Sequence, residues 1–113
     1  MTDTLSPTDI GALSKHRREL TPDASTAFEA FSKAVFANGA LDSKTKQLIA
    51  VAVAHVTQCP YCIKGHTKAA LRHKATEVEI MEAIWVAAEM RAGGAYAHSV
   101  LALDEMERSK KAD

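Results

Sequence analysis

Residues 44–71 read KTKQLIAVAVAHVTQCPYCIKGHTKAAL. The fold class turns on whether their apolar run is a strand or a helix. Leu48, Ile49, Val51, Ala52, Val53, Ala54 and Val56 make the run apolar almost all round, as expected of an element buried on most sides. Its β-branched residues would suit a strand. The capping residue (Asp42 or Ser43), the length and the alanines decide for helix. This should be the most buried helix of the chain. It ends near Thr57-Gln58, and Pro60 suits the first turn of a second helix, Pro60 to about Lys74.

Outward from this pair, the pattern stays helical. Thr76-x-x-Glu79 is a capping box. The helix after it is expected to bury Ile80, Ile84, Ala87 and Ala88, with Met81 and Trp85 on a neighbouring stripe. Gly93-Gly94 is expected to break or kink it before a last helix with Tyr96, Val100, Leu101 and Leu103. Upstream, Thr21-Pro22-Asp23 starts a helix whose face carries Phe28, Phe31 and Val35, with Asn38-Gly39 as an αL stop. An N-terminal helix from Pro7 to about Glu19, capped by Ser6, precedes it. The first six residues and the final SKKAD are expected to fray. The whole reads as one all-α domain over 1–113 with about six helices.

Composition agrees and removes several classes. The chain has 113 residues, with 47% hydrophobic and only 5% aromatic residues, and alanine-rich chains favour helix over sheet. Lys+Arg and Asp+Glu are 14 each, which argues against a generic nucleic-acid binder. No apolar run is long enough to span a membrane, and no secretory signal is visible, so a cytoplasmic location is expected. Two cysteines are too few for a disulfide scaffold.

Those two cysteines sit together in Cys59-Pro60-Tyr61-Cys62, followed by Ile63-Lys64-Gly65-His66. A CxxC at a helix start brings two sulfurs within bonding reach. The helix N-terminus offers unpaired N–H groups and a positive dipole, which favour thiolate over thiol below the usual pKa of about 8.5. His66, four residues after Cys62, shares its helical face and could take the thiol proton or stabilise the thiolate. A metal half-site from Cys59, Cys62, His66 and His55 is a second reading, weakened by the lack of another CxxC or an HxxxH pair. Plain buried cysteines are a third. A thioredoxin fold is excluded, because no βαβ pattern surrounds the motif.

With the capped helix TEVEIMEAIWVAAEM (residues 76–90), the stretch resembles the carboxymuconolactone decarboxylase superfamily. Its CxxCxxxH is similar to that of the alkyl hydroperoxidase D-like branch, and the likeness covers about residues 25–106. That resemblance implies a peroxidase acting through a dithiol–disulfide cycle. Cys62 would be the peroxidatic nucleophile, Cys59 the resolving cysteine and His66 part of a proton relay. It implies hydrogen peroxide or organic hydroperoxides as substrates and a dithiol electron donor, in the best-known branch a lipoyl-bearing protein. No cofactor or metal is implied. It also implies a homo-oligomer, hexamer or trimer, which suits a small chain with much apolar surface and no other staple.

Two positions depart from the family pattern. A Glu often found twelve residues before the first cysteine is Gln47 here, and an amide hydrogen-bonds but cannot shuttle a proton at neutral pH. A His inside the CxxC of the best-known peroxidases is Tyr61. His55, four residues before Cys59, is the nearest candidate to help rebuild the relay; its plainer role is a core histidine with one backbone partner. A thiol–disulfide oxidoreductase or redox sensor with little peroxidase activity is therefore the alternative function. His16, His73 and His98 read as surface or interface residues, Trp85 and Tyr96 as packing or subunit-contact residues, and Glu89 as an alternative base that could reach the site.

Overall fold

The computed structural model describes residues 9–112, and every regular element among them is α-helical. The chain separates into two compact units, Met1–Ala37 and Asn38–Asp113.

The first unit holds α1 (Ile10–Leu20) and α2 (Pro22–Phe36). Asp9 caps α1, accepting the N–H of Ala12 at 3.0 Å. The expected cap Ser6 and the expected first helical residue Pro7 lie outside the described residues. Thr21 alone separates the two helices, with Pro22 in the first turn of α2 as its missing N–H allows. Arg18 pairs with Glu29 at 2.7 Å across them, with both side chains more than half exposed. Neither helix contains a buried residue, and Phe28 and Phe31 lie 6.3 Å apart on an open face. The expected αL stop at Asn38-Gly39 does not form. Ala37 caps α2 in extended backbone, and no described glycine has a positive φ.

The second unit holds α3 (Ser43–Thr57), α4 (Pro60–Arg72) and α5 (Glu77–Ala112). Asp42 caps α3 through the N–H of Thr45 at 2.8 Å. Both α4 and α5 pack against α3. Val51 and Ala70 are completely buried, joined by Ala75 and Ile80, with Leu48 and Ile84 packed against them. As expected, α3 buries more residues than any other described helix: Ser43, Gln47, Val51 and Ala54. The capping box closes as read: Thr76 N–H reaches Glu79 Oε1 at 2.8 Å, and Glu79 N–H reaches Thr76 Oγ1 at 3.1 Å.

The largest difference from the sequence reading is α5. It runs unbroken for 36 residues through Gly93-Gly94, about 54 Å at 1.5 Å per residue. Two glycines in a helix cost about 1 kcal/mol each relative to alanine, and good helix formers on both sides outweigh that. Two expected helices are thus one, and the count is five among the described residues. Ser109–Ala112 also remain helical, where fraying is expected from the sequence. Ala88 and Trp85 are exposed; the buried stripe of α5 is narrower, with Ile80 and Ala87 at its centre. No described helix is long and apolar enough to cross a membrane.

Candidate active site

The site begins where α3 stops. Gln58 adopts the left-handed conformation (φ 60°), and the N–H groups of Gln58 and Cys59 both return to the carbonyl of Ala54. This is a Schellman-like reversal that satisfies the open end of α3 with Gln in place of the usual Gly. It delivers Cys59 directly into the N-cap of α4, with Pro60 in the first turn.

Cys59 then does with sulfur what an N-cap Ser or Asp does with oxygen. Its Sγ accepts the backbone N–H of Cys62 at 3.3 Å, and its carbonyl accepts the N–H of Ile63 at 2.9 Å. Both cysteines are free thiols, each half-buried. Their acidities diverge. The Cys62 thiol donates to Cys59, which lowers the Cys59 pKa; the backbone N–H groups of Cys62 and Tyr61 lower it further. The same hydrogen bond raises the Cys62 pKa, and burial and the charge on Cys59 add to it. Of the two, the Cys59 sulfur at the helix N-terminus is therefore the more acidic.

His66 lies one turn beyond Cys62 on α4. Its Nδ1 bonds Gln47 Oε1 at 2.8 Å. An amide oxygen only accepts, so Nδ1 carries the hydrogen, and the neutral ring holds its basic lone pair on Nε2. Gln47 is buried on α3, in register with Val51 and Ala54. A buried amide needs a partner, and the imidazole is that partner. Cys62 and His66 line one shallow cleft of about 130 Å³, with Ala50, Val53, Ala54 and Thr57 of α3 as the other walls. The sequence marks Val53 and Ala54 only as part of the apolar run and Thr57 only as the helix end, and none of the four as a site residue. Their spacing of three and four residues along α3 is the signal that could have found them.

The sequence-derived candidates separate accordingly. Cys59, Cys62, His66 and Gln47 come together. His55 donates its Nδ1 hydrogen to the Val51 carbonyl of its own helix at 2.7 Å, and it does not line the cleft. Glu89 is exposed and lies along α5 beside Gly93. His98 bonds the Gly94 carbonyl in the same helix at 2.7 Å. Among the described residues, no three His, Cys, Asp or Glu side chains gather as a metal-binding group.

Residues 22–105 match the family model described as "Carboxymuconolactone decarboxylase family". An uncharacterized protein 4 of the cox locus of Paracoccus denitrificans is 74% identical over 77 residues, covering 68% of this chain and 69% of that protein. The crystal structure of a carboxymuconolactone decarboxylase family protein from Legionella pneumophila superposes with a TM-score of 0.71 at 35% identity, covering 88% of this chain and 89% of that one. A Thermotoga maritima family protein, described as "possibly involved in antioxidative response", superposes with a TM-score of 0.56 at 27% identity, covering 80% of this chain and 96% of that one.

Proposed function

The chain belongs to the carboxymuconolactone decarboxylase family, and on that premise we propose that it is a thiol-dependent peroxidase of the alkyl hydroperoxidase D-like branch. One observation carries the reading: Cys62 and His66 share a small, mostly apolar cleft, with the sulfur of Cys59 at the adjoining helix cap. A cleft of that size suits hydrogen peroxide or a small organic hydroperoxide.

In the proposed cycle, Nε2 of His66 takes the Cys62 proton, and the Cys62 thiolate attacks a peroxide oxygen. The S–O bond forms as the O–O bond breaks, and water or an alcohol leaves with the proton. Cys62 is then a sulfenic acid. The Cys59 thiol gives up its proton as its sulfur attacks the Cys62 sulfur, the S–S bond forms, and hydroxide leaves with that proton as water. The acidity order suits this second step, since the resolving sulfur is the more acidic of the two. An external dithiol returns the two electrons by thiol–disulfide exchange.

A second reading, a thiol–disulfide oxidoreductase with little peroxidase activity, is favoured by Gln47. The amide orients His66 but cannot pass a proton onward. Peroxide consumption coupled to dithiothreitol tests both. The first reading expects turnover in the wild type and none in Cys62→Ser or Cys59→Ser. Reduction of a model disulfide with no peroxide consumed would select the second. Under the first reading, Gln47→Glu raises the peroxide rate by about tenfold, because a carboxylate can complete the relay.

The same proposal includes self-association, as a hexamer or trimer. Phe28, Phe31, Trp85, Tyr96 and Leu101 are each more than 60% exposed, large apolar side chains of the kind a subunit interface covers. Light scattering that gave the mass of a single chain would contradict it.

A further inference from the structure

The chain is neutral overall, but its charges are sorted. Residues 43–76, which contain α3 and α4, hold six Lys or Arg and no Asp or Glu. On α4 the cations are ordered: Lys64, Lys68 and Arg72 recur every four residues, so they form one stripe. All three are exposed, and among the described residues none makes an ion pair. Tyr61, the residue inside the CxxC, falls on the same outer face and is 50% exposed, as is Leu71 at the far end. Cys62 and His66 face the other way, into the cleft. Glu79 is paired with Lys44 at 2.7 Å, and Asp42 caps α3.

We infer that the outer face of α4 is the docking surface for the protein that reduces the Cys59–Cys62 disulfide, and that this partner presents an acidic surface beside its dithiol. The inference rests on the disulfide cycle proposed above. Three cations at helical spacing, with an aromatic side chain at the thiol end, match an acidic protein patch with a small apolar spot. Steering between opposite charges raises the rate of encounter more than it raises final affinity. A partner lying along α4 has its reactive sulfur at the helix N-terminus, where the disulfide forms. Its thiolate attacks one sulfur of the disulfide and the S–S bond breaks, giving a mixed disulfide and one cysteine thiolate. The partner's second thiol then closes its own disulfide, releases the second cysteine and carries away the oxidation.

The test uses the oxidised full chain and two short synthetic dithiol peptides, one rich in glutamate and the other with glutamine in its place. At low ionic strength the glutamate peptide is expected to reduce the protein about tenfold faster, and near 1 M salt, where the Debye length is about 3 Å, that advantage disappears. The double variant Lys64→Glu, Lys68→Glu inverts the ratio of the two rates, and the milder Lys64→Gln, Lys68→Gln brings it towards one. Equal rates with both peptides on the wild type, or an undiminished ratio in both variants, would overturn the docking surface. A peroxide-treated protein that forms no disulfide would instead overturn the cycle beneath it. Binding of duplex DNA or anionic vesicles with no preference between the peptides would assign the stripe to another partner and also overturn the inference.

Discussion

The α3–α4 pair and the α1–α2 pair are both helical hairpins of similar length, yet only the first has an interior. In α3 and α4 together six residues are buried, and between the helices a buried glutamine holds a histidine. In α1 and α2 no residue is buried, and two phenylalanines face outward. The difference is residue size. Alanine and valine let α3 and α4 approach closely, and they leave room for one polar pair. The aromatic face of α2 needs a broader partner surface than α1 supplies. Chemistry sits in the hairpin that can hold a side chain still.

The strongest way to break this comparison is through the polar pair itself. His66→Ala is expected to lower the peroxidase rate by about 100-fold, the range of a lost general base. A change below threefold would show that the hairpin only scaffolds the cysteines. Core packing comes next. Val51→Ala, at a fully buried position, should cost about 2 kcal/mol in urea unfolding, while Phe28→Ala on α2 should cost under about 0.5 kcal/mol. A cost above 1 kcal/mol for Phe28→Ala would mean that the aromatic face is covered in solution. That would bear out self-association.

How much of this was legible depended on range. The signals at Asp42, Pro60 and Thr76-x-x-Glu79 were readable because a cap is a contact within three residues. So was the special burial of α3, from its near-continuous apolar run. The continuity of α5 was not, because Gly93-Gly94 is a breaker by propensity alone and the helix-forming residues on both sides outweighed it. Nor was the left-handed turn at Gln58, since a glutamine carries no signature for it. At the site, the i, i+4 relation of Cys62 and His66 was readable, but the His66–Gln47 bond spans 19 residues and belongs to packing. The hydrogen bond from the Cys62 N–H to Cys59 Sγ, which helps lower the Cys59 pKa, appears only in the geometry.

Two smaller effects sharpen the account. Gly94→Ala should stabilise the protein by about 0.5–1 kcal/mol, since a Cβ there meets nothing within 4 Å and the backbone is already helical. Destabilisation would mean that α5 is bent at this point in solution. The smallest effect is acidic. Asp42 titrates below its ordinary 3.8 because of the Thr45 N–H, and Glu79 below 4.5 because of Lys44 and the Thr76 N–H. The unfolded chain therefore takes up these protons first. The stabilisation is present above the ordinary values and is lost as pH falls through the lower folded ones. Urea midpoints should hold steady down to about pH 5 and then decline, and Asp42→Asn combined with Glu79→Gln should reduce that decline.

The central claim is the division of labour between two sulfurs three residues apart, with Cys62 attacking and Cys59 resolving. Trapping the sulfenic acid with dimedone in Cys59→Ser and in Cys62→Ser, after one equivalent of peroxide, tests it directly. The account predicts rapid labelling of Cys62 in the first variant and little labelling of Cys59 in the second. Rapid labelling of Cys59 in Cys62→Ser, with Cys62 unlabelled in Cys59→Ser, would contradict it and make the helix-capping sulfur the nucleophile.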